Sequence, residues 1–439
     1  MDKIVENEIG NGGEEGDEVD FLDYWKLVPI LGEISKKKAV IIFVLKDVNN
    51  TVECQIKLFH IVLQTYIIQP TEGVVTRVVI DLPRNELIKL EWYQNLHLIY
   101  EHWINAKIQP DRLIFTSIDY QSNKQTRLWD RIIAYTDNPQ LRYDIVHLGG
   151  QVSMAGLYHQ IKNQNKYRDK HQQLDRMIAQ TNHMYFRMFN LRKQILSCVV
   201  NHWLIGKLEL GEEDIIDENH WRARQFCINS YLTFQESQNL DIVIGPGRGW
   251  CKLLGSETLM LAIDTLTVDY NLDFIRERVK IEDVPNIKRL VVVSATPPIP
   301  QPETADQWPR QRLQELFTWL FDWKKQIGNR EVVVFGGGSY YGVYARVYSD
   351  RDHIPAVIGS PMTDGGNFQH SVACANMEDR RINLGPLVYH IVEASPTNCY
   401  ATLDLSTEPM TCSLLVDKTT KMVKLGKYYH RMLKRVGLG

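Results

Sequence analysis

The segment 330–348, REVVVFGGGSYYGVYARVY, sets the tightest limit on how this chain folds. Val332, Val333, Val334 and Phe335 form an unbroken apolar run closed by three glycines, the pattern of a strand covered on both faces. Such a strand needs a packed layer above and another below. The stretches RLIFTSI, YDIVHLG, ETLMLAID and KRLVVVSA read the same way. Strands of this kind alternating with helical stretches argue for an α/β domain with a layered core.

The chain is long enough to carry that core beside a second domain. Its 439 residues suit two or three domains, and 44% hydrophobic with 23% charged content is ordinary for soluble globular protein. A formal charge of -3 gives no overall pull toward nucleic acid or membrane, so either would need a local patch. No apolar stretch reaches about 18 residues, and the N-terminus has neither a basic nor an apolar leader region. The expectation is a soluble, intracellular, cytoplasmic protein or a virion component, with no membrane contact. Seven scattered cysteines without a C-x-x-C pair fit a reducing compartment.

Four regions follow from composition. Residues 1–22 are acidic and glycine-rich, with too little apolar surface to offset the entropy of ordering, and read as a disordered tail. Residues 23–110 read as a small β-sandwich. Within it, AVIIFVL, a turn at Asn49 and Asn50, and the alternating Val52, Cys54, Ile56 and Leu58 have the chemistry of a hairpin. Residues 111–416 form the α/β domain. Its segment 311–329 predicts a helix with Leu313, Leu316, Phe317, Leu320 and Ile327 on one face and Gly328 as its stop. A long helical region is expected over 157–196, and residues 417–439 form a basic end segment.

Taken in order, the strand ends resemble the PhoD-like alkaline phosphatase/phosphodiesterase family, a metallophosphatase branch with an N-terminal β-sandwich. LIFTSIDYQSNKQTRLWDRI is similar to that family's Ser-Cys-Asp strand end and Trp-containing helix, and YDIVHLGGQV to its His-x-Gly-Asp-Gln strand end. YFRMFNLRKQILSCVV resembles the tyrosine-rich helix that leads to a Trp-Asp-Asp-His-Glu segment. KRLVVVSATPPIP resembles the Val-Val-Ser strand with prolines. EVVVFGGGSYYGVYARV and IPAVIGSPMTDGG resemble the Ser-Gly-Asp-Val-His-x-Gly strand end and the Ser-Ser-Pro-Ile-Thr segment after it. The resemblance implies a metallophosphatase-like α/β domain, layered in the α+β manner, behind a small all-β sandwich. It also implies carboxylates and imidazoles at the strand tips holding two divalent ions about 3.5–4 Å apart.

Carried over residue by residue, most of those ligands are replaced. Gly150 stands for the aspartate of His-x-Gly-Asp, and Gly338 and Tyr340 for the aspartate and histidine of Gly-Asp-Val-His. Trp203, Leu204 and Ile205 fall on Asp-Asp-His, and Ile118 on the cysteine of Ser-Cys-Asp. Asp119 survives as the residual candidate ligand, with His147 and Gln151 beside it. Glycine offers no side-chain oxygen, and one carboxylate does not hold a hard divalent ion that wants about six ligands. The resemblance therefore implies a dismantled centre, with no catalytic residues and no cofactor, and the triple glycine reads as a relaxed strand tip. The function expected is a pseudoenzyme, a structural or scaffold component in an assembly of protein partners or copies of itself, cellular or viral. A second reading is a divergent metal-dependent phosphodiesterase or phosphatase using divalent metal ions (Mn, Ca or Fe), with Asp119 joined by Asp144, Asp241 or His147.

Three surfaces are candidates for partners. The expected helix over 157–196 interleaves Lys162, Lys166, Arg168 and Lys170 with aromatic residues, as single-stranded nucleic-acid binders do. The end segment carries Lys427, Arg431, Lys434 and Arg435 with hardly an acid, and suits nucleic acid or an acidic partner. Tyr340, Tyr341 and Tyr344 read as exposed aromatics on a protein-binding surface.

Overall fold

The computed structural model describes residues 23–35, 37–71, 74–83, 86–107, 109–117, 128–136, 138, 140–148, 199–204, 250–263, 286–300, 308–339, 341–359, 379–395 and 398–416, with residues 172, 175, 178, 240, 272 and 377 singly. Seven strands come first: β1 (Trp25–Ser35), β2 (Lys38–Leu45), β3 (Val52–Leu58), β4 (Ile61–Ile68), β5 (Thr76–Asp81), β6 (Leu87–Gln94) and β7 (His97–Asn105). They make two antiparallel sheets, ordered β1-β2-β5 and β4-β3-β6-β7. Trp25 anchors the core between them, edge-on to Phe43 at 5.5 Å and to Trp92 at 6.0 Å, with its Nε1 donating to the Ile99 carbonyl at 3.1 Å. A buried indole N–H needs such a partner.

The expected hairpin of β2 and β3 does not form: β2 pairs with β1 and β5, whereas β3 pairs with β4 and β6. Asp47 starts the crossing, accepting from the Asn49 N–H at 3.0 Å and from Asn50 Nδ2 at 2.9 Å. That closure is the local turn that asparagine and aspartate favour, and it connects two sheets as readily as two neighbours.

The remaining strands build two larger sheets. β8 (Arg112–Thr116), β9 (Tyr143–Leu148) and β10 (Val199–Leu204) run parallel, joined by the antiparallel β19 (Cys399–Asp404) and β20 (Thr411–Val416), in the order β10-β9-β8-β19-β20. The other sheet has eight strands, ordered β11-β12-β13-β14-β16-β15-β18-β17. β12 (Thr258–Ile263), β13 (Arg289–Ser294), β14 (Glu331–Gly336) and β16 (Asp352–Ile358) are parallel in it. β11 (Trp250–Leu254), β15 (Gly342–Ser349), β17 (Arg381–Leu384) and β18 (Leu387–Ser395) are antiparallel additions.

Alternation along each strand divides the side chains between two cores. Val291, Val293, Val333, Phe335, Met260 and Ala262 face the five-stranded sheet and meet Leu113, Phe115, Val146 and Leu148. Phe115 and Phe335 stack there at 3.7 Å, 10° from parallel. Leu290, Val292, Val332 and Val334 face the other way, onto helix α2 (Arg310–Gln326) through Leu313, Leu316, Phe317 and Leu320. Ile327 is corrected: it follows the helix in extended backbone and is 46% exposed. The second described helix, α1 (Leu128–Tyr135), packs Leu128 and Ile132 on the outer face of the five-stranded sheet. Strand dominates these described residues, so the expected alternation of strand and helix is met only in part.

That outer face shares one core with the β-sandwich, since Ile114, Tyr143 and Ile145 cluster with Trp25, Leu90 and Ile104. Arg142 ties the junction. Fully buried, it donates from Nη1 to the Lys107 carbonyl, from Nη2 to the Ile34 carbonyl at 2.9 Å, and from Nε and Nη2 to Asp144 at 2.9 and 2.8 Å. Beside it Lys252 Nζ meets Glu33 at 2.6 Å. Burial pulls the Lys252 ammonium below its usual range, opposed by Glu33 and Asp144.

Candidate functional site

Parallel strands deliver their C-terminal ends to one side of the sheets, where an α/β protein places its chemistry. Here β8, β9, β13, β14 and β16 end together. Just past β8, the buried Ser117 donates from Oγ to the Leu148 carbonyl at the end of β9 at 3.0 Å. The same oxygen accepts the Gly338 N–H at 2.8 Å. One hydroxyl thus couples the two sheets, and its proton is held by a carbonyl rather than free for chemistry. Ser294, at the end of β13, is used similarly: its Oγ donates to the Thr296 carbonyl at 2.7 Å and accepts from Trp308 Nε1 at 3.1 Å.

The triple glycine is the opposite of a relaxed tip. A Cβ on Gly336 would lie 2.2 Å from Pro298 Cδ, and one on Gly337 only 1.7 Å from the Leu148 carbonyl oxygen. Gly338 has φ of +68°, and a Cβ there would sit 2.7 Å from the Ala295 carbonyl oxygen. Glycine is needed for close approach at the first two positions, and for both close approach and left-handed backbone at the third. The Gly337 N–H reaches the Ser294 carbonyl at 3.0 Å, and the Gly359 N–H reaches the Gly336 carbonyl at 3.1 Å. Backbone fills the tip of β14.

The expected site residues distribute as follows. Gly338 is at the tip. His147 and Trp203 are brought together as register partners near the ends of β9 and β10, and His147 also pairs with Thr116. Asp119, Gly150, Gln151, Tyr340, Asp241, and Lys162, Lys166, Arg168, Lys170, Lys427, Arg431, Lys434 and Arg435 lie outside the described residues. Asp144 is at the far end of β9, occupied by Arg142, and is not placed to ligate at the tips. Tyr341 is 1% exposed and belongs to the core under the eight-stranded sheet, so it presents no aromatic surface; Tyr344 is half-buried. A cavity of about 650 Å³ lies at the opposite end of the domain, lined by Lys107, Gln109, Asp111, Gly255, Leu405 and Ser406. Among the described residues no group of three His, Cys, Asp or Glu side chains is gathered for a metal, and no helix is long and apolar enough to cross a membrane.

The residues that sequence reading missed are Ser117 and Pro298, which shape the tip from neighbouring strands. Ser117 carried a signal, as the serine of the strand end that resembles Ser-Cys-Asp. Nothing in the sequence pointed to Pro298 lying over Gly336.

No protein-family model matches the chain, and no curated protein matches it. Among solved structures, one described as the structure of PhoD superposes with a TM-score of 0.59 at 11% identity, covering 89% of each chain. β-Glucuronidases from Ruminococcus gnavus and Lactobacillus rhamnosus align over 70% of this chain and 53% of theirs, at 9% identity with TM-scores of 0.27 and 0.26, too low to bear on the fold. At 11% identity the first likeness speaks to architecture alone: the chain has a PhoD-like fold.

Proposed function

We propose that the chain is a catalytically inactive, PhoD-like pseudo-phosphatase that serves as a structural or scaffold component in an assembly with protein partners. The observation that carries this reading is the tip of β14. At the position that the resemblance gives to a ligand aspartate stands Gly338, with left-handed backbone and the Ala295 carbonyl where a side chain would start. A carboxylate does not fit there without moving β13, so the scaffold has closed around the loss of the ligand. The serines at the neighbouring tips are already engaged, Ser117 across the two sheets and Ser294 with Thr296 and Trp308 beside its own strand. The test is turnover of a generic phosphodiester by the purified chain with Mn, Ca and Fe supplied. The reading expects no turnover above a Asp119→Asn control; hydrolysis that this substitution abolishes overturns it.

A second reading, a divergent metal-dependent phosphodiesterase or phosphatase, is favoured by one observation. β10 is a strand paired residue for residue with β9, so Asn201 and His202 stand beside Ile145 and Val146. Moving the resemblance by three residues sets Asn201 and His202 on the second Asp and the His of Trp-Asp-Asp-His-Glu. The same turnover assay with His202→Ala decides it: activity lost with His202 supports this reading, and inactivity of the parent chain removes it.

A further inference from the structure

We infer that β4 is a self-association edge, through which two copies of this chain join their four-stranded sheets into one. β4 is the terminal strand of its sheet, and its backbone ladder runs only to β3 among the described residues. Its sequence, IVLQTYII, has no charge, proline or glycine over eight residues. Edge strands are ordinarily blunted by one of these, because their outer row of N–H and C=O groups is a template for another strand. The other edges of the β-sandwich follow that practice: β7 carries Glu101, β5 carries Arg77 and Asp81, and β1 carries Lys26, Pro29 and Glu33.

β4 is also mostly apolar where it meets solvent, with Thr65 the exposed polar exception. Ile61 is 66% exposed and Ile67 65%, with Val62 at 46% and Phe59, in the turn before them, at 76%. Val62 pairs with Lys57 and Ile67 with Glu53, one-for-one across a bulge at Leu63, which puts both on the outer face of the sheet. An antiparallel pairing about a two-fold axis perpendicular to the sheet keeps outer faces together. Val62 and Ile67 of both copies then line the outer face of the seam, with Thr65 between them, and shield one another from water along it.

The occupant follows from charge. In an isologous contact, residues near the axis face their own copies, so any charged residue there meets a like charge. β4 has none to repel its copy. It also has none to select a charged partner, so a second copy fits better than an acidic or basic peptide. This inference goes beyond the scaffold reading and holds whether or not the chain hydrolyses anything.

Sedimentation equilibrium on the full chain over a range of concentrations tests it, together with Thr65→Lys and Ile67→Lys, both at exposed positions. Val74→Lys, an exposed apolar site on another segment, is the control. The expected result is a dimer that each β4 lysine weakens at least tenfold and that the control leaves unchanged, with all three variants melting within a few degrees of the parent. A parent monomeric at the highest concentration overturns the inference. So does a dimer indifferent to both β4 lysines or as sensitive to the control. Should either lysine variant misfold, Val62→Ser at the same row replaces it with the same expectation.

Discussion

Replacing Gly337 with alanine tests whether the strand tips are closed by contact. The new methyl would start 1.7 Å from the Leu148 carbonyl oxygen, a distance no real contact reaches, so β9 or the loop after β14 must retreat by over an ångström. Three hydrogen bonds cross that gap or flank it: Ser117 Oγ to the Leu148 carbonyl, Gly338 N–H to Ser117 Oγ, and Gly337 N–H to the Ser294 carbonyl. Losing two of them costs about 1–3 kcal/mol, and overpacking a closed site adds about 1–3 kcal/mol. The reduced freedom of the unfolded chain returns only about 0.4–1 kcal/mol. The net loss is about 1–5 kcal/mol, centred near 3, which at roughly 2–4 °C per kcal/mol lowers the melting temperature by roughly 10 °C. Gly328→Ala is the matched control, since nothing lies within 4 Å of a Cβ there. Thermal unfolding followed by circular dichroism reads both. If Gly337→Ala melts within a degree or two of Gly328→Ala, the tip has room and the reasoning is wrong.

Other consequences are as direct. Burial alone raises the Glu91 carboxyl, but hydrogen bonds and ion pairs from Lys57, Tyr93 and Lys89 outweigh it and hold it at about 2. A carboxyl lowered on folding stabilises the protein above its unfolded value near 4.5, and that stability, up to about 3 kcal/mol, is lost as pH falls toward 2. Glu91→Gln is therefore expected to flatten the acid end of the stability curve, as read by urea titrations between pH 5 and 2; an unchanged slope refutes the assignment. Arg142→Met leaves Asp144 charged and buried, and is expected to cost about 3–5 kcal/mol in urea unfolding, while Arg142→Met with Asp144→Leu recovers most of it. Equal losses in the single and double variants contradict that account of the junction.

Much of the architecture was legible because burial on both faces leaves an uninterrupted mark. LMLAI, LVVV and VVVF are β12, β13 and β14, and the helix face of Leu313, Leu316, Phe317 and Leu320 lies where periodicity puts it. Pairing was harder, since alternation fixes which face a residue takes but not which sheet its strand joins. That is why β2 and β3 read as a hairpin and are not one. β4 went unread because its apolar residues largely face solvent and follow no buried period, and β10 because VVNHWL is short and directly follows the helix expected over 157–196. The glycines misled for a physical reason: glycine serves both freedom and crowding, and only the distance from Gly337 to Leu148 separates them. Asp144 looked available until Arg142, two residues earlier, was seen to grip it from the same strand entrance.

The central claim is that the strand tips no longer hold a two-metal centre, and metal content measures it most directly. Full-length chain purified after exposure to Mn, Ca and Fe and passed through a desalting column is to be analysed by inductively coupled plasma mass spectrometry. The account predicts well under one ion of any of these per chain, unchanged by Asp119→Asn. Two ions per chain that vanish with Asp119→Asn would contradict it and return the chain to the working phosphoesterases.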